Sequence, residues 1–240
     1  RCLKMKLLLL SFVFALTAIF AKTTFVTASE VISNDSISVQ TIEGPSVSEK
    51  VIDQAKHSWP WYVARGSGFI AAISLVILML SGIGQMTGQT YRFLEPLTAW
   101  ASHRALGIVF MVSIILHMFV FLFDKFIAFS FLDILIPWFS DFKPITFLGI
   151  NLGSFYLALG VISFYFTLLI VATSLLIINK KPKLWKLTHL LSYIVILFVF
   201  FHALVLGSDM INGIIKAVWI ILGNLISIAI IYRAWRAYAT

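Results

Sequence analysis

The sequence is poor in cysteine and in charged residues. Its 240 residues contain one cysteine, Cys2, which lies ahead of Met5, the first plausible start. This excludes a disulfide, a thiolate metal site and a redox thiol pair within the chain. Charged residues make up 12% of the sequence, against about 25% in soluble domains, and hydrophobic residues make up 60%. We therefore expect an integral membrane protein surrounded by lipid.

Acidic residues are scarce as well. Ten Asp and Glu stand against eighteen Lys and Arg, which gives a formal net charge of +8. In a soluble protein this excess would suggest nucleic acid, but in a membrane protein basic loops set the orientation. We therefore expect no nucleic-acid partner.

Two segments are predicted to precede the membrane domain. Lys6 is followed by fourteen mostly apolar residues and then by small residues around Ala21, which is the order of a secretory signal peptide over residues 1–29. The alternative is a retained anchor, although the apolar run is short of the roughly 20 residues that a span needs. Residues 30–60 are polar and predict an extracytoplasmic tail.

Five apolar runs predict an all-α membrane domain over residues 61–232, followed by a cytoplasmic tail at 233–240. Each run is long enough for a helical span of about 20 residues. The spans are expected near Trp61–Gly84, Ala101–Phe123, Phe147–Ile178, Leu187–Leu206 and Ile211–Tyr232. The segment between the second and third spans is aromatic, amphipathic and interrupted by Pro137 and Pro144. This pattern predicts a segment in the membrane interface rather than a sixth crossing.

The basic residues predict the orientation of the spans. Four lysines occur in the connection NKKPKLWK, residues 179–186, and Arg233 and Arg236 follow the last span. With five spans these residues lie on one side, together with Arg92 and Arg104. The positive-inside bias makes that side the cytoplasm. We therefore expect a bacterial-type plasma-membrane protein with its N-terminal tail outside and its C-terminus in the cytoplasm.

Four histidines occur inside apolar spans, where an unsatisfied polar side chain costs several kcal/mol. In the second span, His103 and His117 are 14 residues, or about 21 Å, apart. In the fourth span, His189 and His202 are 13 residues, or about 20 Å, apart. The two spans run in the same direction, so we expect matched depths. We call His103 and His189 the first pair, and His117 and His202 the second pair.

Two facing imidazoles suit haem iron better than zinc. Zinc takes four ligands in structural sites, and no cysteine and almost no acidic residue occurs at these depths. Haem iron already has four porphyrin nitrogens, so one histidine from each span completes its coordination. Gly107, one turn after His103, and Ser113, one turn before His117, leave room for a flat macrocycle.

The spacing in the fourth span leaves one question open. At 3.6 residues per turn, 14 residues return to within about 40° of the same helix face, whereas 13 residues leave His202 about 140° from His189. Either the fourth helix bends or its histidines bind haems from different sides. A histidine in a span is also often a hydrogen-bonded interior residue or part of a proton path. For His57, alone in the tail, we expect no ligand role.

The histidine spacings and three strings, SHRALGIVFMVSIILHM, SDFKP and LWKLTHLLSYIVILFVFFHALVLGSD, resemble the ferric reductase-like transmembrane domain over residues 61–232. That superfamily includes the membrane parts of NADPH oxidases and iron reductases and the haem subunit of a bacterial methionine sulfoxide reductase system. The resemblance implies a bundle of about five helices around two stacked b-type haems that carry electrons across the membrane. The residues that it implies as iron ligands are His103, His117, His189 and His202.

The chain departs from the oxidases and iron reductases of this superfamily, which carry a cytoplasmic flavin and nicotinamide domain. It stops at Thr240 and has no glycine-rich nucleotide-binding fingerprint. We therefore expect the haem-bearing subunit of an oxidoreductase system, which takes electrons from a separate flavoprotein, a quinol or a bound flavin. Its acceptor would be an extracytoplasmic protein or small molecule. The alternative is a haem-binding sensor or assembly protein without sustained electron flow.

Two arginines are candidates for binding haem propionates, because a guanidinium bonds a carboxylate in a two-pronged way. Arg65 begins the first span on the predicted outer side, where Gly66 and Gly68 permit close approach. Arg104 is the corresponding candidate for the inner haem. The alternative role of Arg65 is interfacial snorkelling.

Overall fold

The computed structural model describes residues 47–124, 127, 129–143, 145–147, 150–151 and 154–239. The predicted signal peptide and residues 30–46 of the predicted tail lie outside the described residues. The described helices and strands are α1 Val47–Thr87, α2 Pro96–Val120, α3 Phe131–Leu135, β1 Thr146–Phe147, β2 Ile150–Asn151, α4 Phe155–Leu176, α5 Pro182–His189, α6 Ser192–Leu206 and α7 Gly213–Ala239. Short 3₁₀ turns lie at Thr90–Arg92, Phe121–Phe123 and Ser208–Ile211.

Five segments of the described chain are long and apolar enough to cross a membrane, as predicted. They are Ser58–Thr87, Pro96–Phe123, Phe155–Leu176, Pro182–Leu206 and Gly213–Tyr238, which we call the first to fifth spans. Many of their large apolar side chains are exposed, which suits contact with lipid. The chain is therefore an integral membrane protein.

Two predicted boundaries change. The third span begins at Phe155 and not at Phe147, because β1 and β2 pair as a short antiparallel hairpin ahead of the helix. Helix α1 begins at Val47, inside the segment predicted as a polar tail. Between the second and third spans, α3 begins with a capping box formed by Ser130 and Asp133.

The fifth span is held on the fourth by an aromatic contact. The rings of Phe200 and Trp219 stack with centroids 5.8 Å apart, and Trp219 Nε1 donates to the Phe200 carbonyl oxygen over 3.2 Å. Gly223, one turn after Trp219, lies against the Phe200 ring, so a side chain there would clash. This contact fixes the C-terminal helix to the span that contains His189 and His202.

The fourth span is broken between α5 and α6, at Leu190 and Leu191. The backbone N–H groups of Leu190, Leu191, Tyr193 and Ile194 each donate to the carbonyl three residues earlier, over 3.2, 3.1, 3.1 and 2.9 Å. Such 3₁₀ bonding turns the chain by about 120° per residue instead of about 100°. Over about five residues the extra rotation amounts to about 100°. It cancels most of the roughly 140° by which His202 would point away from His189 on a regular α-helix. Of the two alternatives for this span, the structure has a distorted helix.

Candidate functional site

The structure brings the four span histidines together in the two pairs expected from their depths. The ring centroids of His103 and His189 lie 6.2 Å apart, and the ring planes are inclined by 47°. The ring centroids of His117 and His202 lie 6.5 Å apart, and the ring planes are inclined by 83°. Two imidazoles therefore face each other at two levels of the bundle, about 20 Å apart along the spans.

Backbone carbonyl groups orient both rings of the second pair. His117 Nδ1 lies 2.8 Å from the Ala64 carbonyl oxygen in the first span, and His202 Nδ1 lies 2.9 Å from the Tyr156 carbonyl oxygen in the third span. A carbonyl oxygen only accepts, so Nδ1 carries the proton in both rings and Nε2 keeps its lone pair. Each ring therefore has the tautomer needed for a metal bond through Nε2.

The first pair has weaker support. His103 Nδ1 lies 3.0 Å from the Ser81 hydroxyl oxygen, which itself donates to the Leu78 carbonyl oxygen over 3.2 Å. The Ser81 oxygen can accept from His103 when its own proton is directed to the Leu78 carbonyl, which is the tautomer of His103 that a metal bond through Nε2 needs. His189 Nδ1 is buried and has no hydrogen-bond partner among the described residues. The first pair thus has one hydroxyl acceptor where the second pair has two carbonyl acceptors.

Glycines let neighbouring helices approach the rings. A Cβ atom at Gly160 would lie 2.6 Å from two atoms of the His202 ring, Nδ1 and Cε1. At Gly68 it would lie 3.1 Å from His117 Nδ1, and at Gly82 it would lie 3.3 Å from Cε1 of His103. At these three positions the absence of a side chain leaves room for a histidine ring.

The first and third spans carry the same arrangement, 92 residues apart. Ala64 and Gly68 supply the carbonyl and the gap for one ring of the second pair, and Tyr156 and Gly160 supply them for the other. The same offset relates Ser81 to Thr173. Each of these hydroxyls donates to the carbonyl three residues earlier, that of Leu78 or Ile170. Few residue types match at this offset, so the correspondence becomes evident in the structure.

The other predicted site residues have different surroundings. A Cβ atom at Gly107 would have no described heavy atom within 4 Å, which agrees with open space beside the second span. Ser113 is buried one turn before His117. Arg104 is exposed, and its guanidinium carbon lies 5.5 Å from the centroid of the Trp100 ring.

Arg65 has a partner that the sequence did not indicate. Its Nε donates to Asp209 Oδ2 over 2.8 Å, and its second terminal nitrogen pairs with Oδ1 of the same carboxylate. The guanidinium carbon also lies 4.6 Å from the centroid of the Trp61 ring. Arg65 directly follows Ala64, so this ion pair lies beside the backbone that orients His117.

The ring separation in each histidine pair would suit two imidazoles bound to one metal ion. A metal–imidazole bond is about 2.0 Å long and the ring centre lies about 1.1 Å behind the bonded nitrogen, so two such rings have centroids about 6 Å apart. The separations of 6.2 and 6.5 Å agree with this value. Among the described residues, no three side chains of the types His, Cys, Asp and Glu come together. The donor set therefore fits haem iron, to which porphyrin supplies four nitrogens.

Comparison with family models gives one decisive match. The model of the ferric reductase like transmembrane component matches residues 67–200, which is 134 of the 240 residues. The chain belongs to this family. The match contains His103, His117 and His189 and ends two residues before His202. Searches of curated proteins and of solved structures give no match.

Membership of the ferric reductase-like family indicates a haem-binding domain that transfers electrons across a membrane. The residues around the histidines were missed by sequence reasoning: Ala64, Ser81, Gly82, Tyr156, Gly160 and Asp209. Gly68 and Gly82 are 14 residues apart, as are His103 and His117. That equal spacing was the one sequence signal that these glycines lie beside the histidines. The carbonyl acceptors left no such signal, because every residue has a backbone carbonyl.

Proposed function

We propose that this chain is the haem-bearing subunit of an oxidoreductase system and relays single electrons across the membrane through two b-type haems. The first pair binds the haem nearer the cytoplasm, and the second pair binds the haem nearer the outer face. Haem iron, when bound, supplies a centre that accepts and releases one electron at a time. The facing of two histidines at each of two depths is the observation that carries the proposal.

The protein's own residues prepare both sites. The helices orient the imidazoles through Nδ1: backbone carbonyls hold those of His117 and His202, which leaves their Nε2 lone pairs for a metal bond, and the Ser81 hydroxyl contacts that of His103. Electrons enter from a flavoprotein, a quinol or a bound flavin and leave to an extracytoplasmic protein or small molecule. The proposed direction, from the first pair to the second, follows from the reducing equivalents that cells keep in the cytoplasm. The basic connection Lys180–Lys186 would face an acidic donor protein.

Electron passage across sealed vesicles tests the relay. The protein is reconstituted in one known orientation, and a membrane-impermeant reductant is offered from each side in turn. We expect haem reduction followed by reduction of an impermeant acceptor on the far side. A matched preparation of His117→Ala should pass no electrons, because one of the two centres is missing. Haems that reduce but pass nothing across in either direction would reject the relay in favour of a haem-binding sensor.

Arg65 is proposed to hold an outer haem propionate with the N–H groups that Asp209 does not occupy. We expect Arg65→Ala to lower the midpoint potential of the second-pair haem, because loss of a cation stabilises the ferric form. Asp209→Asn should raise the same potential, because it removes an anion and keeps the guanidinium. Arg104→Ala is the matched control and should leave this potential unchanged. Redox potentiometry that finds no shift with Arg65→Ala would limit Arg65 to its contact with Asp209.

A further inference from the structure

We propose that the two sites are built to differ in reduction potential, with the lower potential at the second pair, and that Ser81 is a positioning residue of the first pair. The inference rests on the proposed function, since it assumes that each pair binds one haem. It concerns the hydrogen bonds of the histidines, which are a recognised means of adjusting a haem.

The second pair has the more electron-rich ligands. Both of its Nδ1–H groups donate to backbone carbonyls, that of Ala64 over 2.8 Å and that of Tyr156 over 2.9 Å. Donation from Nδ1–H to a carbonyl raises the basicity of Nε2 in the same ring. A more basic ligand stabilises ferric iron relative to ferrous iron, and the midpoint potential falls as a result.

The first pair lacks this support on one side. The Ser81 hydroxyl oxygen lies 3.0 Å from His103 Nδ1 and is at most a weaker acceptor than a backbone carbonyl, and His189 Nδ1 is buried without a described partner. The ligands of the first pair are therefore less basic than those of the second pair. Their iron favours the ferrous state more, which raises its midpoint potential.

The correspondence between the first and third spans shows why His189 Nδ1 has no described partner. Thr173 occupies the position that corresponds to Ser81, but its hydroxyl lies 3.0 Å from the Thr188 hydroxyl. It also donates to the Leu169 carbonyl oxygen over 2.8 Å. Ala64, Tyr156 and Ser81 each contact the Nδ1 atom of a histidine. Thr173, the fourth corresponding position, contacts Thr188 instead, the residue directly before His189.

A nearby cation acts in the same direction. Arg233 follows the fifth span, and its guanidinium carbon lies 5.4 Å from the centroid of the Tyr193 ring, one turn after His189. Positive charge on this side of the bundle disfavours the ferric haem, which carries one more positive charge than the ferrous haem. Ligand basicity and this cation therefore both favour the higher potential at the first pair, whereas the charge of Arg65 beside the second pair is balanced by Asp209. Electron transfer from the first pair to the second is then uphill in midpoint potential, and a negative-inside membrane voltage drives it.

Redox potentiometry of the purified full chain, followed by haem absorbance, tests the order. We expect two midpoint potentials, of which His103→Ala retains the lower and His117→Ala retains the higher. Ser81→Ala should raise the potential of the first-pair haem alone, and Ser81→Thr should restore it. The matched control Ser163→Ala removes a buried hydroxyl that donates to Leu159 in its own helix, and should shift neither potential.

The outcomes separate this inference from the proposed function. Two haems with equal potentials, or with the higher potential at the second pair, would overturn the order while the relay stands. Two haems in the expected order with no shift in Ser81→Ala would overturn the role of Ser81. A chain that binds no haem after reconstitution would overturn the proposed function itself.

Discussion

Under the proposed function, replacement of His117 by alanine should reduce the haem content from two per chain to one. The remaining member of the pair, His202, cannot supply two axial ligands, and the second site loses its bis-histidine coordination. The haem at the first pair, about 20 Å away along the spans, should keep its low-spin spectrum. The measurement is the ratio of haem to protein together with the absorption spectrum of the reduced form.

Each of the four histidines has an expected result of this kind. His202→Ala should remove the same haem as His117→Ala, whereas His103→Ala and His189→Ala should each remove the other. His57→Ala is the matched control and should retain both haems. Two low-spin bis-histidine haems in any of the single span variants would show that the pairing is wrong.

Gly160→Ala should damage the second site almost as severely as His117→Ala, although it adds only one methyl group. The new Cβ would lie 2.6 Å from Nδ1 and Cε1 of His202, closer than real Cβ contacts allow. The ring must therefore move away from the Tyr156 carbonyl, which breaks the hydrogen bond that orients it. We expect loss of the second-pair haem and a decrease in stability of about 1–3 kcal/mol, as for other overpacked interiors.

Other glycines provide a graded series for the same measurement. Gly68→Ala places its Cβ 3.1 Å from His117 Nδ1, so we expect a smaller loss of the same haem. Gly213→Ala is the matched control, since no described heavy atom lies within 4 Å of its Cβ position and Gly213 lies at the start of α7, away from both histidine pairs. Haem content and thermal unfolding of the detergent-purified proteins report both effects. A Gly160→Ala protein with unchanged haem content and unfolding temperature would contradict this account.

The depths of the histidines were predictable because the rise per residue of a helix is constant. The pairing of depths was also predictable, because the second and fourth spans run in the same direction. The direction of the fourth-span rings was not predictable. The 3₁₀ bonds at Leu190 and Leu191 occur where the sequence has neither proline nor glycine, so no residue signals the distortion. The start of the third span at Phe155 was missed for a similar reason, because Phe147 and Ile150 in the preceding strands are apolar and extend the hydrophobic run.

The surroundings of the histidines were beyond sequence reasoning for a different reason. Ala64 and Tyr156 act through their carbonyl oxygens, which every residue possesses, so their side chains carry no information about the role. Arg65 was recognised as a candidate, but its partner Asp209 lies 144 residues away in a short 3₁₀ turn. Such pairings depend on how the helices pack, which local patterns do not determine.

The separation of the two histidine pairs along their spans has an electrical consequence. About 20 Å of a hydrocarbon core about 30 Å thick lies between the two levels, which is about two thirds of the membrane field. Moving one elementary charge through the whole field changes the free energy by about 2.3 kcal/mol per 100 mV. Under the proposed function, each electron that leaves the cytoplasm is therefore driven by a negative-inside voltage. Sustained outward flow depolarises the cell unless cations follow the electrons.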